Sequence, residues 1–495
     1  MSIFKDGLIR QGAAGAGDSV YSIDQSIRFN KADSAYMSRT VGSGGNTKTW
    51  SFSVWFKLGL LGSQRGASPF LWACHQSDSN RLQLSLDSGS LGAAGDFLSI
   101  YNNTGSGSTI FRLSKKLRDP SAWYHLVLVA DTSNSVATDR FRVYLNGQRE
   151  TSFSTFNAPS LNADLGWNQN GSTYYLGDYF STHNGTYSFD GYMAEINHVD
   201  GYAYGPEYFG EFKSGTDIWI PKEYTGSYGT KGFFIDGRDS SDLGDDESGN
   251  GNDFTVSGLA AHDQVADSPT NNFCVLNQIS IPTYGGNFNR GVAQTNLAAY
   301  NAGGAETYAI GSMAFSSGKW YWEFYTTSYP AGNGIVYGIT EQDYWEANGS
   351  TSHSYIGRRA ALSERHTTSA YSYWAYSELG NIGNGLDASG LTPFQQSVVV
   401  GVAVDMSTNI ITFTTNGSSY ATKDFDTYSY AFGSKAQFPV WRLLGATTLN
   451  INFGQDSTFN GQVTAGGNSD DNGIGNFKYS VPSGYLALCT KNLGS

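Results

Sequence analysis

Charge is scarce in this sequence, where Asp, Glu, Lys and Arg together supply 15% of 495 residues. Basic residues are the scarcer kind, with 30 Lys and Arg against 43 Asp and Glu and a net charge of −13. No basic run exceeds Ser114-Lys115-Lys116 or Gly357-Arg358-Arg359. Nucleic acid is therefore excluded as a partner, because binding it needs a concentrated phosphate-neutralising face. Cysteine is limited to Cys74, Cys274 and Cys489, too far apart for a disulfide ladder or a metal-ligand motif. That usage points to a reducing compartment. Long apolar runs are missing too. The opening "MSIFKDGLIRQGAAGAGDS" has no apolar signal core and nothing approaches a membrane span. Synthesis in the cytoplasm without membrane insertion is expected.

What the sequence does hold is Gly (61), Tyr (32) and Phe (29). Short runs of Val, Ile, Phe, Tyr and Thr, broken by Gly, Asn, Asp and Ser, are the pattern of an all-β protein. The length predicts two to four domains. Residues 1–25 are rich in Gly and Ala and read as an attachment arm. The stretch "WYHLVLVADTSNSVATDRFRVYLNG" (123–147) reads as a hairpin, with Trp123, His125, Val127 and Val129 on one face. Phe141, Val143 and Leu145 follow, and Asn146-Gly147 closes it, the pair that best tolerates a tight turn's positive φ. The same grammar returns roughly 270 residues later in "SVVVGVAVDMSTNIITFTTNG" (397–417). Two related sandwiches are expected.

Between them lies the densest Gly, Asp, Asn, Ser and Pro region, including "DDESGNGNDF" (245–254). Asp246, Ser248, Asn250 and Gly251 begin like an EF-hand loop. The twelfth position is Ser257, where a bidentate Glu is required. Asp246, Ser248, Asn250 and Asn252 nonetheless form a candidate calcium set. Turn chemistry is the alternative, with Gly249 and Gly251 at positive φ and the polar side chains bonded back to the chain.

The hairpins sit in larger patterns. With "WSFSVWFKLG" (50–59) and "YSFDGYMAEINHVDGYAYGPEYFGEF" (187–212), the first resembles a laminin-G-like, concanavalin A-type jelly roll. The second, with "GKWYWEFY" (318–325) and "FPVWRLLGATTLNINFG" (438–454), resembles the SPRY family; residues 341–397 depart from its compact members. The resemblance implies an all-β fold of two concanavalin A-like β-sandwich (jelly-roll) domains in tandem. It places an arm at 1–25, a laminin-G-like sandwich at 26–215, a structured Gly/Asp/Asn-rich connector at 216–270 and a SPRY-like sandwich at 271–495. The connector is similar to those of modular tailed-phage proteins, an association of architecture.

Jelly-roll glycosidases carry paired carboxylates on one strand as Glu-x-Asp-x-x-Glu. That motif does not occur, and Glu195 and Glu323 are isolated strand acids, Glu323 being assigned to the fold. The seven histidines show no His-x-x-x-His spacing, and there is no Gly-x-Ser-x-Gly elbow or phosphate loop. A non-enzymatic binding protein is expected. Aromatic faces stack on sugars while amides fix the hydroxyls. The candidate contacts are therefore Trp167, Tyr174, Tyr175, Tyr344, Trp345, Tyr373, Trp374 and Tyr376. The resemblance implies a tailed-phage virion surface protein, a fibre or appendage binding a host glycan or receptor. The alternative is a capsid-decorating or tail-assembly protein with protein contacts only. Other virion proteins would be met through the N-terminal arm. A homo-oligomer is expected, a trimer if the protein is a fibre.

Overall fold

The computed structural model describes residues 21–62, 67–87, 95–105, 107–181, 183–278, 290–293, 295–301, 307–328, 334–341, 362–365, 372–377, 380–382, 397–424, 436–444 and 446–494. Most of the expected N-terminal arm lies outside them. The described residues form mainly antiparallel sheets, the all-β fold expected, and the chain divides into two compact units. One comprises Ser22–Thr270 with Val292–Leu297, and the other is built from Asn271–Gly291 and Ala298–Ser495.

The first unit is a sandwich of two sheets. Sheet I runs in the order Gln148–Arg149, Phe141–Leu145, Trp123–Asp131, Thr49–Leu58, Gly191–Asp200, Ser26–Phe29, Gln264–Val265, with Phe233–Ile235 also paired to Gly191–Asp200. Sheet II runs Phe153–Phe156, Ser108–Lys116, Phe97–Thr104, Asn80–Asp87, Phe70–Ser77, Thr173–Leu176, Tyr36–Thr40, Thr255–Ser257. Alternation along each strand sends one set of side chains into the shared core. Leu126, Leu128 and Ala130 face Leu82, Leu84 and Leu86 there, around Trp50, Trp72 and Trp167.

The connector expected at 216–270 is part of this unit. Its strands Phe233–Ile235 and Gln264–Val265 extend sheet I, and Thr255–Ser257 forms an edge of sheet II. Two ion pairs with buried side chains, Arg28–Asp263 at 3.1 Å and Lys57–Asp267 at 2.6 Å, bind its end to sheet I. The physical reason is apolar: the isolated islands of the connector, such as Phe233 and Phe254, are core residues. Residues Val292–Leu297 also belong here. Tyr192 donates its hydroxyl to the Thr295 carbonyl at 2.8 Å, and Asn296 Nδ2 donates to the Leu58 carbonyl at 3.2 Å.

The face of Trp123–Asp131 that carries His125, Val127 and Val129 points away from the sandwich core. It is covered by residues 202–228, where Phe209 and Tyr224 pack on Val127, Val129 and Val199. Sheet I is thus buried on both faces in this region. His125 stacks on Trp55 at 4.5 Å, accepts the Trp219 indole N–H at Nδ1 (2.8 Å) and donates from Nε2 to Ser53 Oγ (2.8 Å). Both nitrogens are spoken for in the neutral ring. Burial pushes its pKa down to about 3.

In the second unit one sheet includes Ala298–Asn301, Thr447–Asn452, Lys319–Ser328, Val399–Asp405, Ile410–Thr415 and Ser418–Asp424, in that order. The other runs Thr307–Ile310, Gln437–Leu444, Gly334–Glu341, Leu362–Arg365, Ser372–Ser377, Gly380–Ile382. Phe324 meets Tyr337 edge-on at 4.6 Å and Tyr337 meets Phe413 at 5.2 Å between them. Both expected Asn-Gly turns are present. Asn146 and Gly147 have φ of 48° and 75°, and Asn416 and Gly417 have 46° and 77°. In each the Asn side chain also accepts a backbone N–H from the neighbouring strand, His125 at 2.8 Å and Val399 at 3.0 Å.

Candidate functional site

The outer face of sheet II is polar and aromatic, unlike the apolar inner face on which it rests. On Asn80–Asp87, Leu82, Leu84 and Leu86 turn inward, so Arg81, Gln83, Ser85 and Asp87 turn outward. The strand register lays these out in rows. Tyr175, Ala73, Gln83 and Tyr101 form one row, and Thr173, His75, Arg81 and Asn103 the next.

Residues 177–181 and 183–188 lie across this face. Their base is fixed by Gly177 N–H to the Leu71 carbonyl (2.8 Å), Phe189 N–H to the Gly177 carbonyl (2.7 Å) and Phe70 N–H to the Tyr187 carbonyl (3.0 Å). Over one end of the face, Phe180 stacks on His75 with centroids 3.6 Å apart, and the Arg81 guanidinium lies 5.4 Å from its ring. Arg81 is also 5.7 Å from the Tyr101 ring. Over the other end, His183 stacks on Tyr36 at 4.3 Å and on Tyr175 at 5.3 Å. Asp178, its side chain buried, accepts from His183 Nδ1 at 3.0 Å and orients that ring. Burial raises the Asp178 pKa, against the His183 bond that lowers it. Burial likewise depresses the His75 pKa, with Asp78 opposing. Charges along the face are matched, Arg81 with Asp78 at 3.1 Å and Arg112 with Asp87 at 2.8 Å.

Comparison with known families assigns both units. Residues 30–201 match the concanavalin A-like lectin/glucanases superfamily, and residues 319–456 match the SPRY domain. The chain carries a concanavalin A-like domain followed by a SPRY domain. The first is a lectin-like jelly roll. Among solved structures, the SPRY domain of human HERC1 is 16% identical, covering 33% of this chain and 96% of its own, with a TM-score of 0.25. Domains LG4-5 of the mouse laminin alpha1 chain are 11% identical, with 90% and 92% covered and a TM-score of 0.32. A heptameric SAP-like pentraxin from Limulus polyphemus is 14% identical, with 38% and 80% covered and a TM-score of 0.27. No curated protein matches this chain.

In the concanavalin A-like domain the candidate contacts separate by strand parity. Tyr175 is on the outer face of sheet II, as a contact residue requires. Tyr174, its neighbour, is wholly buried and points into the core, so it is not a surface contact. Trp167 is corrected for the same reason. It is wholly buried, lies 4.5 Å from Trp72 and 4.7 Å from Tyr174, and donates its indole N–H to His198 at 3.2 Å. His198 donates from Nδ1 to the Ser51 carbonyl at 3.2 Å, and burial pushes its pKa down to about 4. In the SPRY domain Tyr344 and Trp345 lie outside the described residues. Tyr373, Trp374 and Tyr376 fall on the strand Ser372–Ser377, opposite Glu364, Ser363 and Asn381 respectively. Glu323 serves the fold, as expected. It accepts from Lys478 N–H (2.8 Å), Tyr479 N–H (2.9 Å), Tyr321 hydroxyl (3.1 Å) and Asn452 Nδ2 (3.3 Å). Burial pushes its pKa up to about 7.

The four calcium candidates lie in a hydrogen-bonded turn. Asp246 Oδ1 accepts from the Phe234 and Ser248 amides at 2.8 and 3.0 Å, and Oδ2 from Ser248 Oγ and the Asn252 amide, both at 2.8 Å. Asn250 and Asn252 turn their Nδ2 groups toward the Gly232 carbonyl at 3.0 and 2.7 Å, and Arg39 donates to Asn252 Oδ1. These bonds are the turn chemistry that the sequence offered as the alternative reading of this stretch. The SPRY domain repeats the device. Asp470 accepts from Asn472 and Ile474 amides on Oδ1, and from the Ala487 amide and Asn492 Nδ2 on Oδ2, all at 2.8–2.9 Å.

Sequence reasoning missed His75, Arg81, Gln83, Tyr101 and Phe180. Period-2 alternation in "RLQLSLD" marks which residues face outward. Only the strand order, however, sets His75 and Asn103 on either side of Arg81.

Proposed function

We propose that this chain is a non-enzymatic recognition protein of a tailed-phage virion, a fibre or appendage that grips a host-surface glycan through its lectin-like domain. The observation that carries this reading is the outer face of sheet II. There, the rings of Tyr36, Tyr101, Tyr175, Phe180 and His183 lie half-buried beside the Arg81–Asp78 pair, a surface suited to sugar rings. A non-catalytic role is supported by the use made of Glu323, whose carboxylate gathers four hydrogen bonds within the SPRY domain. The virion setting is supported by the tandem of two sandwiches and by loops knotted with Asp, Asn and Gly in place of helices.

The test is adsorption of purified protein to candidate host cells and to a glycan array. Wild-type protein should bind, and a Tyr36→Ala/Tyr175→Ala double variant that still folds should bind at least about tenfold more weakly. Absence of binding to every cell and envelope polysaccharide would overturn recognition of a glycan. Cryo-EM of the particle locates the protein, and a clean monomer in mass photometry would overturn the trimer.

A further inference from the structure

The described residues leave an unusual set of polar atoms in the middle of the same face. Gln83 has no exposed surface, yet neither its Nε2 nor its Oε1 has a hydrogen-bond partner. Directly beside it on the same face, Arg81 Nε and Asn103 Oδ1 are also buried and unpartnered. The rest of these two side chains is held: Arg81 Nη1 donates to the Asp78 carbonyl at 2.9 Å, and Asn103 Nδ2 to the same carbonyl at 2.8 Å. The free atoms are therefore fixed in direction by bonds made elsewhere. A buried amide with neither atom satisfied is costly, and native folds keep such groups where something else completes them.

Their chemistry selects what completes them. The group offers donors at Gln83 Nε2 and Arg81 Nε and acceptors at Gln83 Oε1 and Asn103 Oδ1. An anion would satisfy the donors and be repelled by the acceptors, and an apolar group would satisfy none. The local charges are already paired within the protein, as Arg81 with Asp78 and Arg112 with Asp87. Sugar hydroxyls, each able to donate and accept, fit both halves. The ring of Phe180 supplies an apolar cover, and Tyr101, opposite Gln83 in the register, supplies a wall.

We propose that Gln83, Arg81 and Asn103 read the hydroxyls of one neutral sugar unit, admitted beneath Phe180 on the outer face of sheet II. This rests on the glycan-binding reading above and names the residues and the sugar class. A site of this kind is bought with stability, so Gln83→Leu should fold, melt at the same or a higher temperature, and lose affinity. The experiment presents the full chain to an array of neutral and acidic bacterial polysaccharides, then titrates the best one against wild type, Gln83→Leu and Asn103→Ala. Binding to neutral glycans, weakened at least about tenfold in both folded variants, is the expected result. Neutral binding that both variants retain overturns this site and leaves glycan recognition standing. Binding to acidic glycans alone overturns the neutral class, and absence of all binding overturns both readings. A crystal soaked in the bound sugar that shows only water at Gln83 also overturns the proposal.

Discussion

The two domains cover a sheet in the same way and with opposite charge logic. In the concanavalin A-like domain, the covering segment donates the Trp219 indole N–H to a neutral histidine, His125. In the SPRY domain, the covering segment donates the Lys478 and Tyr479 amides to a carboxyl, Glu323. Each acceptor lies in a long central strand and ties down residues distant in sequence. In each domain a buried acceptor ties the cover to the sheet, and the two acceptors respond to pH with opposite sign.

The largest effect should come from Trp167→Ala. Removing an indole packed on Trp50, Trp72 and Tyr174 should cost the first domain about 3–5 kcal/mol. Calorimetry of the full chain should show one transition falling while that of the SPRY domain holds. A common shift of both would dissolve the two-domain comparison.

The pH response should come next in size. His125 and His198 are held below the ordinary 6.5, at about 3 and about 4, so the unfolded chain binds more protons between those values. Their contribution is complete above pH 6.5 and is lost as pH falls. Glu323 is held above its ordinary 4.5, at about 7, so the folded state binds more protons there. Its contribution is complete below pH 4.5 and is lost as pH rises through 7. Melting at pH 5 and pH 8 should move the two transitions in opposite directions, and Glu323→Gln should flatten only the SPRY slope. Parallel movement would break the contrast.

The smallest effect is expected at the shared hairpin turns. Asn146→Ala and Asn416→Ala each remove one side-chain hydrogen bond and place Ala at positive φ, for about 1–2 kcal/mol in their own domain. Equal losses in chemical denaturation would sharpen the kinship of the two hairpins; a loss in one alone would show that the likeness is confined to the backbone.

These hairpins were legible in the sequence because turn and alternation are local. The strands Trp123–Asp131 and Val399–Asp405 and both Asn-Gly turns could be placed from neighbours alone. Which face met the core was not. His125, Val127 and Val129 alternate as a core face does, and only the distant cover at 202–228 explains their burial outside the sandwich. Trp167 and Tyr175 raise the opposite difficulty. Both lie in an aromatic, polar stretch, and one is core while the other is surface, a division set by strand parity and by His198 thirty-one positions away. The turn at 245–254 was recognisable by composition, but its place inside the first domain depended on pairing with Phe233–Ile235 and Tyr36–Thr40.

The first domain's use of Val292–Leu297 bears on how such a protein can be taken apart. A fragment ending at Thr270 would keep every strand of both sheets and still lose the carbonyl that receives Tyr192 and the amide that caps Leu58. Shuffling of this module between proteins, by recombination or in the laboratory, therefore has to carry a short passage from beyond its apparent end. Genetic exchange that respects only the sheets would deliver a jelly roll with an open seam.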